Sequence, residues 1–353
     1  MREILDDVER WLREGERDIA IATVITTWGS APRGVGAKMA ATPSGRVTGS
    51  ISGGCVESAI IEEGPVVLAT RRPKILHFET SDDTAWKVGL PCGGTIDVLV
   101  EPFEPSLFDF LKPHLRANAR VTQVTVIRGP EELVGRRVAF GPDGEAAGTI
   151  SGRLDATARE IARTARTPER TSAGDEIELF VDPMLPVATV VMIGGVHIAV
   201  VLAKLVQDMG YRAAVVDPRK SFGSADRFEG VDRLLALWPD EAFNQVELTP
   251  ETALVVLTHD PKLDDPALEA ALRSPVFYIG ALGSARTQER RRARLLERGF
   301  TPAELERIHG PVGLDIRAAG PAEIALSILA EIVATARGAQ AVMRKSAAAA
   351  GRT

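Results

Sequence analysis

Cysteine is nearly absent from this chain: two thiols in 353 residues leave no disulfide framework and fit a reducing compartment. Two thiols also cannot build a structural zinc site or a full iron–sulfur ligand set, and the five histidines fall in no ligand spacing. A basic excess is missing too. The formal net charge is −6, so no surplus of cations exists to neutralise phosphates, which excludes nucleic acid as an expected partner. No apolar run reaches the roughly 18 to 20 residues that a membrane-crossing helix needs. The opening, from Met1 to Glu16, reads as a charged amphipathic helix rather than a signal peptide. A soluble, cytoplasmic protein is expected. G-x-S-x-G, Walker A and H-E-x-x-H signatures are all missing.

What is present is an ordinary globular composition, 45% hydrophobic and 25% charged, long enough for two cores. Ile4, Val8, Trp11 and Leu12 recur at helical spacing. Strand-like runs follow at 19–26, 74–79 and 95–100, with a hairpin over 37–52 turned at Pro43-Ser44-Gly45. A helix is expected after Cys55, broken or kinked at Gly64-Pro65. The stretch 106–181 carries no chemical motif, and no internal repeat is evident. The polar segment 164–174 is expected as a linker between an N-terminal α/β domain (1–182) and a second domain (183–338), with a flexible tail at 339–353.

The second domain reads strand, helix, strand. The apolar runs 187–193, 213–217, 253–258 and 276–279 predict parallel strands covered on both faces, a doubly wound Rossmann-type sheet. Gly194-Gly195-Val196-His197-Ile198-Ala199 follows the first strand and opens a helix, where a dinucleotide fingerprint belongs. Asp217 ends the second strand, where a carboxylate can take a ribose hydroxyl. Val196 replaces the middle glycine, placing an isopropyl group where a pyrophosphate approaches the backbone; a nucleotide site and a structural turn both remain open. His259 and Asp260 end a later strand, either facing a ligand or capping a loop. Gly280, Gly283, Ser284 and Arg286 precede an arginine-rich helix and could cradle an anion, although a solvated helix face reads equally from the arginines beyond Arg286.

In the first domain Arg33 and Lys38 sit in the loop from Trp28 to Met39. The run Gly49-Ser50-Ile51-Ser52-Gly53-Gly54-Cys55-Val56-Glu57 then places a thiol at an expected helix N-terminus, where dipole and amides favour a thiolate and also an anion. Cys92 lies in Pro91-Cys92-Gly93-Gly94. The plain alternative for either thiol is a small buried residue.

Trp28–Arg33, Gly49–Glu57 and Pro91–Thr95 resemble the N-terminal domain of the xanthine dehydrogenase accessory proteins of the XdhC/CoxI type. Val216–Arg219, Tyr278–Ser284, His309–Asp315 and Ala322–Ile332 resemble their Rossmann domain. The resemblance runs collinearly through both ends of the chain. It implies a maturation factor rather than a metabolic enzyme: a chaperone that binds molybdenum cofactor (molybdopterin or its dinucleotide form), supports its sulfuration and delivers it to a client molybdenum hydroxylase. It also implies a cysteine desulfurase-type sulfur donor, and is compatible with a homo-oligomer. On this reading Ser52, Gly53 and Gly54 amides with Arg33 and Lys38 hold the pterin phosphate, and Cys55, with Cys92, lies beside molybdenum. Gly194, Gly195, Asp217, Arg219, His259, Asp260, Gly280, Gly283, Ser284 and Arg286 hold a nucleotide. The rivals are an NAD(P)-dependent oxidoreductase and a non-catalytic assembly scaffold.

Overall fold

Residues 1–29, 31, 33–53, 56–78, 94–174, 176–219 and 221–338 are described by the structure, a computed structural model. The expected tail lies outside them. The chain divides into two units, Met1–Pro186 and Val187–Thr353.

The first unit opens with α1 (Leu5–Arg13), β1 (Ala20–Trp28), β2 (Lys38–Ala41), β3 (Val47–Gly49), α2 (Glu57–Thr70), β4 (Lys74–Phe78) and β5 (Thr95–Pro102). It continues with α3 (Pro105–Arg116), β6 (Val121–Arg128), β7 (Arg137–Phe140), β8 (Ala146–Gly148), α4 (Gly152–Thr164), β9 (Glu169–Ser172) and β10 (Glu178–Met184). Two antiparallel sheets result, in the orders β3-β2-β1-β5-β4 and β8-β7-β6-β10-β9. These are the same order twice. The sequence expectation of no repeat is therefore corrected: the unit is a structural duplication. β2 and β7, and β3 and β8, keep one constant offset along the chain. Aligned on it, Thr42-Pro43-Ser44-Gly45 meets Gly141-Pro142-Asp143-Gly144, and Gly49-Ser50-Ile51-Ser52-Gly53 meets Gly148-Thr149-Ile150-Ser151-Gly152.

The two repeats exchange buried charges. Lys38, first residue of β2, places Nζ 2.8 Å from Asp182 Oδ2 on β10, and also donates to Thr23 at 2.9 Å. Its counterpart Arg137, first residue of β7, places Nη1 2.7 Å from Glu101 Oε2 on β5. Asp182 and Glu101 hold matching positions, since Asp182 faces Gln123 and Glu101 faces Ile21 on the two central strands. Backbone contacts are exchanged in the same way. Gly36 packs on Pro168, and Gly135 packs on Pro73.

Two expectations for this unit give way. Helix α2 runs unbroken through Gly64 and Pro65. Proline removes the one N–H that would reach the Ile61 carbonyl, and Ile61 lies on the exposed face of the helix. The polar segment 164–174 contains β9, an edge strand paired with β10, so its composition reflects an exposed edge and not a linker.

The second unit is built from β11 (Thr189–Ile193), α5 (His197–Asp208), β12 (Arg212–Val216), β13 (Arg233–Leu235), α6 (Pro239–Ala242), β14 (Thr252–Val256) and α7 (Pro261–Leu272). It is completed by β15 (Tyr278–Ala281), α8 (Ala285–Glu297), α9 (Pro302–Leu305), β16 (Ile308–His309) and α10 (Pro321–Ala336). The sheet order is β13-β12-β11-β14-β15-β16, with every pairing parallel. This is the doubly wound order with its switch point between β11 and β14. Alternate residues of each central strand enter opposite cores: Val191, Ile193 and Leu254 pack with α7 and α8, while Val190, Met192 and Val255 pack with α5 and α10. Burial on both faces explains the continuous apolar runs that made these strands legible. Among the described residues, no helix is long and apolar enough to cross a membrane.

The crossed ion pairs set a test of the first unit. Lys38→Met should cost about 3–5 kcal/mol in denaturant unfolding, because it leaves Asp182 buried and unpaired. Adding Asp182→Leu should recover most of that loss. A double variant no more stable than the single one would show that the charges do not act as a pair.

Candidate functional site

The glycine–serine loop of the first unit starts where β3 ends. Gly49 adopts φ +76°, and a Cβ there would fall 2.3 Å from the Lys38 carbonyl oxygen, so glycine is required. From the first turn of α2, Glu57 reaches back over the loop. Its carboxylate accepts from the backbone N–H groups of Ile51 (3.2 Å), Ser52 (3.0 Å), Gly53 (3.1 Å) and Val56 (3.1 Å), and from the hydroxyls of Ser50 (2.9 Å) and Ser52. Burial would raise its pKa, but the hydrogen bonds from Ser52, its own turn and Ser50 prevail and bring it down from 4.5 to about 2. The Ser52 and Gly53 amides, expected to cradle a phosphate, thus already hold a carboxylate of the chain itself. Sequence reasoning assigns Glu57 no role; a carboxylate four residues beyond a Ser-Gly turn was the available signal.

Gly54, Cys55 and Cys92 lie outside the described residues, although Glu57 grips the loop on both sides of residues 54 and 55. Lys38 is 4% exposed and paired with Asp182, and Arg33 pairs with Glu3 on the surface. The structure does not bring these two cations together on one anion. In the second repeat, Asp155 repeats the Glu57 arrangement in reduced form, accepting from Ile150 N (2.7 Å), Ser151 N (3.3 Å) and the Thr149 hydroxyl.

In the second unit the predicted residues do gather at the carboxyl edge of the sheet, but Gly195, Asp217 and Arg219 are engaged with one another. Asp217 is fully buried. It accepts from Gly195 N at 2.8 Å, and from Arg219 through N (2.9 Å), Nε (2.9 Å) and Nη2 (2.7 Å). Burial opposes its ionisation, but the bonds from Arg219 and Gly195 outweigh it and hold the pKa below the usual carboxylate value. Gly194, at φ +103°, packs against Thr258, and a Cβ on Gly195 would lie 2.2 Å from the Phe222 carbonyl oxygen. Arg227 donates to the carbonyls of Gly195 (2.6 Å) and Phe222 (2.9 Å), and Arg219 stacks 4.1 Å over the Phe222 ring. The obstacle to a pyrophosphate at this turn is therefore the segment after β12 as much as Val196, which packs partly into the core beside α5.

Around the other strand ends, Asp260 caps α7 through Lys262 N, and Ser284 caps α8 through Thr287 N. His259 and Arg286 are exposed. Gly283 adopts φ +135°, and a Cβ on Gly280 would strike Val312 and Tyr278, which makes Gly280 a packing glycine. The arginine run is not a uniformly solvated face: Arg291 is buried against Asp264 (3.0 Å), and Arg294 grips Asp265 with two bonds of 2.7 and 2.8 Å. Sequence reasoning misses one cluster outright. Glu331 accepts from the Tyr278 hydroxyl (2.6 Å) and Gly313 N (2.8 Å), and lies 3.0 Å from His309 Nδ1. No spacing links those residues; only the fold assembles them.

Glu57 yields a pH test. Its folded pKa is depressed, so its contribution is complete above about pH 4.5 and is lost as pH falls toward about 2. Glu57→Gln should cost roughly 1–3 kcal/mol at neutral pH, since an amide cannot accept from every donor at once. The variant should also lose less stability than the parent between pH 5 and 2. Parallel acid-unfolding curves for the two proteins would contradict the seat assigned to Glu57.

Comparison with known proteins covers most of the chain. Residues 190–332 match the family model described as the XdhC Rossmann domain, and residues 11–79 match that of the XdhC and CoxI family. A protein of Bacillus subtilis described as a probable xanthine dehydrogenase subunit is 30% identical over 331 residues, covering 92% of this chain and 95% of that protein. The molybdenum cofactor insertion chaperone PaoD of Escherichia coli is 28% identical over 313 residues, 88% of this chain and 81% of PaoD. A crystal structure described as a xanthine dehydrogenase from Bacillus halodurans aligns with a TM-score of 0.71 at 26% identity, over 98% of both chains. With the duplicated first unit, the parallel second unit and a relative matched over nearly its full length, the chain belongs to the XdhC and CoxI family.

Proposed function

We propose that this chain takes molybdenum cofactor as cargo, supports its sulfuration, and inserts it into a client molybdenum hydroxylase. The observation that carries the reading is the likeness to a molybdenum cofactor insertion chaperone over 88% of this chain. The Glu57-braced glycine–serine loop supports it. A turn held by six donors to one carboxylate is shaped before cargo arrives, which lowers the ordering cost of binding. Cys55, inside that loop, supplies the soft thiolate that suits molybdenum, and Cys92 is a second thiol of the same kind. Sulfur reaches the cargo from a cysteine desulfurase-type donor, and Glu57 acts as a positioning residue. Because the Ser52 and Gly53 amides and Lys38 are already engaged, capture of the cofactor phosphate falls to cations nearer the surface, with Arg33 the expected one.

For the second unit, a nucleotide or NAD(P) remains the expected class of ligand, and it must contend with Asp217, whose oxygens hold Gly195 and Arg219. The oxidoreductase rival needs that carboxylate free for a ribose. A scaffold without cargo needs neither loop.

Two measurements test these readings. Cys55→Ser, purified from a host that makes the cofactor, should melt like the parent yet retain at least about tenfold less pterin and fail to activate its client. Parental pterin content together with full client activation would refute the role of Cys55. NADH should bind the unmodified chain weakly in calorimetry, and Arg219→Ala should strengthen binding by releasing Asp217 for the ribose hydroxyls. Tight binding by the parent, with turnover of a carbonyl substrate, would favour the oxidoreductase.

A further inference from the structure

A cavity of about 490 Å³ in the first unit, apart from the Cys55 loop, is lined in part by Arg71, Pro73, Glu104, Arg136, Arg137 and Thr149. That volume lies within the range of about 300–1,000 Å³ typical of small-molecule sites. Its place in the duplication is informative. Val134–Arg137 and Gly148–Thr149 correspond by the constant offset to Val35–Lys38 and Gly49–Ser50, so one wall of the cavity is the second repeat's counterpart of the place where the glycine–serine loop begins, and Arg71 and Pro73 of the first repeat form another.

The charges around it are unbalanced. Arg137 is answered by Glu101 at 2.7 Å and Glu104 at 3.4 Å. Arg71 and Arg136 have no ion-pair partner among the described residues; the Arg136 guanidinium donates one hydrogen bond among them, to the Ile150 carbonyl at 3.3 Å. The Thr149 hydroxyl is committed to Asp155, which leaves the two guanidinium groups as the available donors. Arg71 is also held in a left-handed backbone conformation, φ +56°, at the C-cap of α2, a position that glycine fills without strain. Arginine where glycine would fit without strain, lining a cavity and lacking an ion-pair partner among the described residues, points to a role for its side chain there.

We propose that this cavity binds a small phosphate-bearing anion, with Arg71 and Arg136 making charge-assisted hydrogen bonds to its oxygens. The site is separate from the Cys55 loop, and its occupancy does not depend on the function proposed above.

Calorimetry on the intact chain at low ionic strength, with inorganic pyrophosphate as the probe, tests it. Binding should weaken as salt rises. Arg71→Gly, which also relieves the backbone, and Arg136→Gln should each weaken binding about tenfold, and the double variant more. Ribose 5-phosphate titrated in parallel distinguishes the sources: tighter binding of the ester supports an organic phosphate as occupant, and the reverse order supports free polyphosphate. Cys55→Ser should leave either titration unchanged, so this site and the cargo reading fail independently. No binding to the parent, or a double variant that folds and binds like the parent, would overturn the proposal. If Arg71 served only the helix end, Arg71→Gly would change the melting temperature and leave pyrophosphate binding intact.

Discussion

Glu57 sits where four backbone amides converge, Asp217 holds the glycine turn after β11, and Glu331 joins Gly313 to Tyr278 and His309. A buried amide without a partner destabilises by a substantial part of the whole folding free energy, whereas a carboxylate with two oxygens can satisfy several donors at once. These three turns are closed in this way by an acid from the chain itself. The loops that resemble ligand cradles therefore have a defined shape without any ligand. Whatever enters must add to that bonding or displace it.

The strands of the second unit could be read from sequence because their two buried faces leave no polar residue to interrupt Thr189–Ile193, Thr252–Val256 or Tyr278–Ala281. The short outer strands β13 and β16 carry no such signal. β9, Glu169-Arg170-Thr171-Ser172, was illegible for the opposite reason. It is an edge strand held by one neighbour and by the Arg170–Glu178 ion pair, so its composition is that of a loop. The duplication is faint in the sequence because few identities survive, chiefly one proline and several glycines that serve turns, with an Ile-Ser pair whose isoleucines enter the cores.

For the site, the loops were legible in the sequence and what fills them was not. Motif and spacing place Asp217 and Gly195 at one strand-end cleft, but whether a carboxylate faces a ribose or its own neighbour depends on Arg219 and Phe222 folding back over it. Lys38 reads as a phosphate-holding cation in a glycine-rich loop at the start of a hairpin. It is instead the first residue of β2, where strand alternation turns it inward to an acid from the other repeat. Position along the chain was legible; long-range partners were not, because charge pairing across more than a hundred residues leaves no local trace.

The exchange of Lys38–Asp182 for Arg137–Glu101 has the form of a two-fold contact, in which residue i of one copy meets residue j of the other and the reverse holds as well. Two polypeptides meeting in this manner would make an isologous dimer; here a single chain supplies both protomers, joined between Pro102 and Pro105. Covalent fusion removes the need for the two copies to stay identical. One loop can retain its Gly53-Gly54-Cys55 sequence while its twin becomes Gly152-Arg153-Leu154, and the shared interface still assembles. A symmetric homodimer has no such freedom, since every change appears twice. Asymmetry between equivalent loops is what this architecture makes available.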